Sequence, residues 1–116
     1  MSGLPAIAKG IREVQGRGSH VGRPGGRNPL HRASSSVEKD NNRKLVCPKN
    51  LKRPKGSQCD EYPFASSKEG GTALPAIDRI IQWVPAAQNK QQGQILSSFY
   101  RENRVLRGVD AFYVQA

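Results

Sequence analysis

Apolar positions along the chain fall into short groups separated by polar, turn-forming stretches. The most regular group is Ile95, Leu96, Phe99 and Tyr100, at i, i+1, i+4 and i+5. That is one stripe on a 3.6-residue period and predicts a helix over residues 87–103. Gly93 falls inside it at a cost of about 1 kcal/mol relative to Ala, which points to a close backbone approach or a local break. Upstream, Ile80, Ile81, Trp83 and Val84 predict a strand over residues 79–85, closed by Pro85. Tyr62 and Phe64 give residues 59–65 strand character, and Pro63 restricts that strand to an edge or a bulge. Lys68-Glu69-Gly70-Gly71 reads as a turn. Phe112 and Val114 share one face of a closing strand over residues 110–114. The serines at 34–36, followed by a polar run with Val37, Leu45 and Val46, predict a short capped helix stopped by Pro48.

Residues 1–27 contrast with the rest. Gly16-Arg17-Gly18 and the Gly22–Arg27 stretch have turn-former composition, and the region reads as a flexible basic arm or linker. Apolar residues thin out before Leu45 and gather after Leu74, so the second half is expected to hold most of the core. We therefore expect one small α+β domain over residues 28–116, with no internal repeat.

A length of 116 residues admits one domain, and a hydrophobic share of 35% limits it to a small core. Nineteen Lys and Arg against nine Asp and Glu leave a net charge of +10. Such a charge favours polyanions, because binding releases condensed counterions. Nucleic acid is the first candidate partner. A membrane is not, since no apolar run can span a bilayer and no segment is a basic amphipathic helix with an aromatic face. The first residues lack a charged segment followed by a long apolar stretch, so no signal peptide is read there. The chain is then cytosolic, already processed, or cut from a longer exported protein. Cys47 and Cys59 stand 12 residues apart across a polar, turn-rich loop. They are either two free thiols or a disulfide. The small core favours the disulfide, which would imply an oxidising compartment. Two cysteines and distant histidines do not make a zinc spacing.

Chemistry centres on Asp60-Glu61. Adjacent carboxylates on an extended segment point to opposite faces, so one can face a cleft while the other holds a turn or a metal. A solvated turn is the plain alternative. Asn89, near the start of the predicted helix, offers an amide oxygen to a hard cation, though a polar helix face would look the same. His31, in Pro29-Leu30-His31-Arg32, is a weaker catalytic candidate, and His20 in the arm weaker still. Arg32 and Gln92 are candidate phosphate contacts.

The run Cys59-Asp60-Glu61-Tyr62-Pro63-Phe64-Ala65-Ser66, followed by Glu69-Gly70-Gly71, resembles the signature of the NucA/NucB bacterial deoxyribonucleases. Val84-Pro85, Asn89, Gln92-Gly93, Phe99-Tyr100 and the 110–114 segment fit the same family in order and rough spacing. The resemblance covers residue 28 to the end. It implies a compact fold similar to ββα-metal nucleases and an endonuclease with little sequence preference, using one divalent ion, Mg2+ or Mn2+. It also implies an Asp in place of the usual general-base His. That Asp matches Asp60, the metal-ligating Asn matches Asn89, and Glu61 follows as a further ligand. We expect a secreted monomer acting on DNA. If the domain is the toxin tip of a larger exported protein, an immunity protein becomes a second partner. The competing reading is a nucleic-acid-binding module without catalysis, for which adjacent acids in the groove have no use.

Overall fold

The structure, a computed structural model, describes residue 1 and residues 3–116. Its elements run α1 (Pro5–Gln15), β1 (Leu30–His31), α2 (Ser36–Val46), β2 (Ser57–Tyr62), a single 3-10 turn (Ala76–Asp78), β3 (Ile80–Pro85), α3 (Ala86–Glu102) and β4 (Ala111–Phe112). Two antiparallel pairs form the sheets. β1 pairs with β4, and β2 with β3 in a register that sets Asp60 opposite Gln82 and Glu61 opposite Ile81. This is a small α+β domain, as the sequence predicts.

The N-terminal expectation fails. Pro5 opens α1 at a position where its missing N–H costs nothing. Leu4, Ile7, Ile11 and Val14 follow at spacings of three, four and three, which puts them on one helical face. Each is at most 1% exposed. They pack with Val21, Leu30, Tyr62, Phe64 and Val84, and with Tyr100, Val105, Phe112 and Val114. Within residues 1–27, Leu4, α1 and Val21 are therefore part of the core and not of an arm. Full burial of one such aliphatic side chain is worth about 1.5–3 kcal/mol, and α1 supplies several. Gln15, buried at its end, donates to Tyr62 Oη (3.1 Å) and to the Val114 carbonyl (2.8 Å), joining α1 to β2 and to the C-terminal segment. The core is thus shared between the two ends of the chain rather than held by the second half.

Elsewhere the expected elements form, with two strands shorter or shifted: β2 ends at Tyr62 instead of reaching residue 65, and β4 is confined to Ala111–Phe112 within the expected 110–114. Ser35 caps α2, its hydroxyl accepting from Glu38 N at 3.2 Å, while Glu38 Oε2 accepts from Ser34 N at 2.8 Å. The two bonds satisfy one N–H in the first turn and one just before the cap, a variant of the capping box. β2 ends at Tyr62, where the Tyr62–Pro63 peptide is cis. Cys47, at the C-terminal end of α2, and Cys59 on β2 form a disulfide. It fixes α2 to the strand residue next to Asp60.

Candidate active site

Strand alternation splits the two acids of β2. Asp60 shares a face with Gln82, whose amide donates to the Ala6 carbonyl of α1 at 3.1 Å. Glu61 lies on the face of Cys59, Ile81 and Trp83. Asp60 is 4% exposed and Glu61 7%, yet both reach the same cleft of about 260 Å³. Burial disfavours their charged forms. It pushes Asp60 up to about 6, against the opposing pull of the Gln82 amide, the Arg43 charge and the Gln92 amide. It pushes Glu61 up to about 7, against the Gly71 N–H and Arg43, with the Asp60 charge adding to the rise. Glu61 Oε1 accepts a long bond from Gly71 N at 3.4 Å. Its Oε2 is buried and accepts nothing from any described atom.

α3 forms the next wall. Asn89, Gln92, Gly93, Ser97 and Tyr100 follow one another along its cleft side. Asn89 donates through its amide nitrogen to Gln58 Oε1 of β2 at 2.8 Å, a bond that leaves its oxygen uncommitted. Gln92 is buried beside Asp60, close enough to favour the carboxylate, but its Nε2 completes no hydrogen bond of good geometry. Gly93 neither breaks the helix nor admits a close packing partner: a Cβ built there meets nothing within 4 Å. The helix is therefore not broken there, and no other part of the chain makes the close approach that the glycine would permit.

Cations rim the cleft: Lys39 and Arg43 from α2, Arg32 after β1, and Arg107 after α3. Arg32 is held in place. Its Nη1 donates to the Val105 carbonyl at 2.7 Å, and its guanidinium lies 4.8 Å from the centre of the Tyr100 ring. Tyr100 in turn shares a 2.7 Å hydrogen bond with Ser66. Desolvated phosphate beside such donors gains more than in water.

The family model for deoxyribonuclease NucA/NucB matches residues 11–115. The chain belongs to the NucA/NucB deoxyribonuclease family. No curated protein matches it. Membership makes this NucA/NucB domain a nuclease, with DNA as its substrate class. The match starts inside α1, so the family unit includes residues that composition alone assigned to an arm.

Of the residues singled out from sequence, this cleft brings together Asp60, Glu61, Asn89, Gln92 and Arg32. His31 is not among its lining residues. Alternation along β1 turns it from Arg32, and Glu69 claims it twice: Oε2 lies 2.9 Å from His31 Nδ1, and Oε1 accepts from the His31 N–H at 2.6 Å. A catalytic role for His31 in the cleft has no geometric support. Sequence reasoning missed Lys39, Arg43, Ser97 and Arg107. In a chain with nineteen Lys and Arg, only the phase of α2 could have separated Lys39 and Arg43 from the rest.

Among the described residues no three His, Cys, Asp or Glu come together as a metal cluster. The cleft's donors are instead two carboxylates and the amide oxygens of Asn89 and Gln92. All are hard oxygen donors, which suits Mg2+ or Mn2+ with water completing the shell. The unpartnered buried Oε2 of Glu61 fits a cation better than any protein donor nearby.

Proposed function

We propose that this domain is a divalent-metal-dependent endodeoxyribonuclease with little sequence preference. One observation supports it most: two buried carboxylates, on adjacent residues of β2, both line a cationic cleft, and one keeps an oxygen without a partner among the described residues. A module that only bound phosphate would gain nothing from them, since each repels the ligand. Asp60 acts as general base. With a pKa pushed up to about 6 it is ionised at neutral pH and still basic enough to take a proton from water. The water oxygen forms the new bond to phosphorus, Asp60 takes its proton, and the bond to the leaving oxygen breaks. Glu61 and Asn89, with Gln92 beside them, would hold the divalent ion, which supplies charge neutralisation at the phosphate and leaving oxygen when bound. Arg32 contacts the backbone rather than the bases, so little sequence is read.

The disulfide fits an oxidising compartment, and we place the protein outside the cytosol. Both a free secreted nuclease and an exported toxin tip with its immunity protein satisfy that placement.

The test is nicking of supercoiled plasmid with Mg2+, with Mn2+ and with excess chelator. Cutting should require the ion, and Asp60→Asn should lose about 10²–10⁴-fold in rate while DNA binding persists. Undiminished cutting in chelator would remove the metal from the mechanism. Parent-level cutting by Asp60→Asn would remove the base.

A further inference from the structure

We propose that the sugar–phosphate backbone of one DNA strand runs between α2 and α3, with Lys39 and Arg43 on successive phosphates and Gly93 giving the strand room on the opposite wall. The inference rests on the nuclease reading and adds the substrate's path through the cleft.

On the α2 side, Ser36, Lys39 and Arg43 stand at i, i+3 and i+7, so they form one stripe, and all three line the cleft. Seven residues of helix rise about 10 Å, enough to face two or three phosphates of a strand. Both cations are exposed, and neither has an ion-pair partner within 4 Å among the described residues. Neither acid of the helix pairs with them: Glu38 accepts from Ser34 N and faces Lys68 Nζ at 3.8 Å, and Asp40 forms no ion pair among the described residues. Arg43 lines the same cleft as Asp60 and Glu61, and of the two cations of the stripe it is the one whose charge favours both carboxylates. It is therefore placed at the phosphate being cut, with Lys39 on a neighbour towards the α2 N-terminus. Arg32, tied to Val105 and Tyr100, is a fixed contact, whereas Arg43 is free to follow the phosphate.

On the α3 side, Gly93 is unusual for what it lacks. Its backbone is not in the left-handed region, and no neighbour crowds the position of a Cβ. Neither packing nor conformation demands glycine, yet the helix bears the destabilising effect of one in its interior. A substrate passing close along this wall accounts for it.

Two measurements test the path. The first is binding of a fluorescent single-stranded oligonucleotide in chelator over a salt series. Lys39→Gln and Arg43→Gln should each reduce the slope of log K against log salt by about 0.7. Lys44→Gln removes the same charge from the same helix outside the cleft and should leave the slope near the parent's. The second uses Gly93→Ala, which should melt a few degrees higher than the parent yet bind and cut at least tenfold less well. Arg43→Lys should recover part of the rate lost in Arg43→Gln. If Lys39→Gln and Arg43→Gln match Lys44→Gln in slope, or Gly93→Ala binds and cuts like the parent, the path is wrong even though the chain cuts DNA. If the slopes separate as expected in a chain that does not cut, the path stands and the nuclease reading falls.

Discussion

Replacing the two buried acids by their amides should make the metal-free protein more stable. Asp60 rises from 3.8 to about 6 and Glu61 from 4.5 to about 7. Each pKa unit corresponds to 1.36 kcal/mol, so ionising either group in the fold costs on the order of 3 kcal/mol. The two costs are less than additive, because the Asp60 charge is part of what raises Glu61. Folded pKa values above the unfolded ones mean that the folded state binds these protons more tightly. Their contribution is therefore present below about pH 4 and is lost as pH rises through about 6 and then about 7. In chelator at pH 8, Asp60→Asn should melt higher than the parent by about 5–10 °C, after allowance for the amide's own burial. The difference should shrink at pH 5. Adding Mg2+ or Mn2+ should stabilise the parent by mass action and leave Asp60→Asn with Glu61→Gln unmoved. Thermal melts monitored by circular dichroism over pH 5–8, with and without the ion, provide the measurement. A parent that is as stable as Asp60→Asn at pH 8 in chelator would refute the claim that burial, rather than a hidden partner, sets these pKa values.

Three further outcomes follow from the packing. Ile11→Ala should cost about 2–4 kcal/mol in denaturant unfolding, and a chain starting at residue 28 should lack a cooperative transition; a truncated chain that melts cooperatively would show that α1 is not part of the core. Reduction, or Cys47→Ser with Cys59→Ser, should cost about 3 kcal/mol and lower the cutting rate, because the bridge anchors β2 beside Asp60; equal melts with and without reductant would refute this. His31→Ala should cut within about threefold of the parent, since a group outside the cleft cannot supply the 10²–10⁴-fold expected of a general base or acid; a larger loss without a change in melting temperature would restore His31 to the reaction.

How much of this was legible in the sequence depends on how local each signal is. α2 was readable because its cap and its stop, Ser35 and Pro48, lie within the chain segment they delimit. α3 was found to within a residue or so at each end, because Leu96, Phe99 and Tyr100 keep their period. α1 was missed although Pro5, the spaced apolar residues and Gly16 were all present, because the glycines and arginines that follow dominate the composition of the region. The acids were legible as a pair and as residues on opposite strand faces. Their burial was not, since it depends on segments far away in sequence: α1 and α3 on the side of Asp60, and the Gly71 turn on the side of Glu61. His31 shows the same limit in reverse. Its neighbour Arg32 faces the cleft, and a difference of one position along the chain is enough to give His31 to Glu69 instead.

The choice of a strand for Asp60 and Glu61 has a chemical consequence. On a helix, neighbouring residues project about 100° apart and would share one environment. On β2 they project to opposite faces, and each meets a different set of groups. Asp60 looks towards α1 and α3, where the amides of Gln82 and Gln92 favour its carboxylate. Glu61 looks towards the Gly71 turn and keeps one oxygen unsatisfied. Two chemically similar acids are thus given different neighbours by a single step along the backbone: one has polar amides that favour its ionised form, the other a buried oxygen with no hydrogen-bond partner among the described residues. That separation is what a base and a cation ligand need if they are to act on the same phosphate without competing for the same proton. It also explains why the bridge falls at Cys59: the strand's side-to-side order must hold at Asp60, and a covalent tie one residue away resists a register slip that would exchange the two roles.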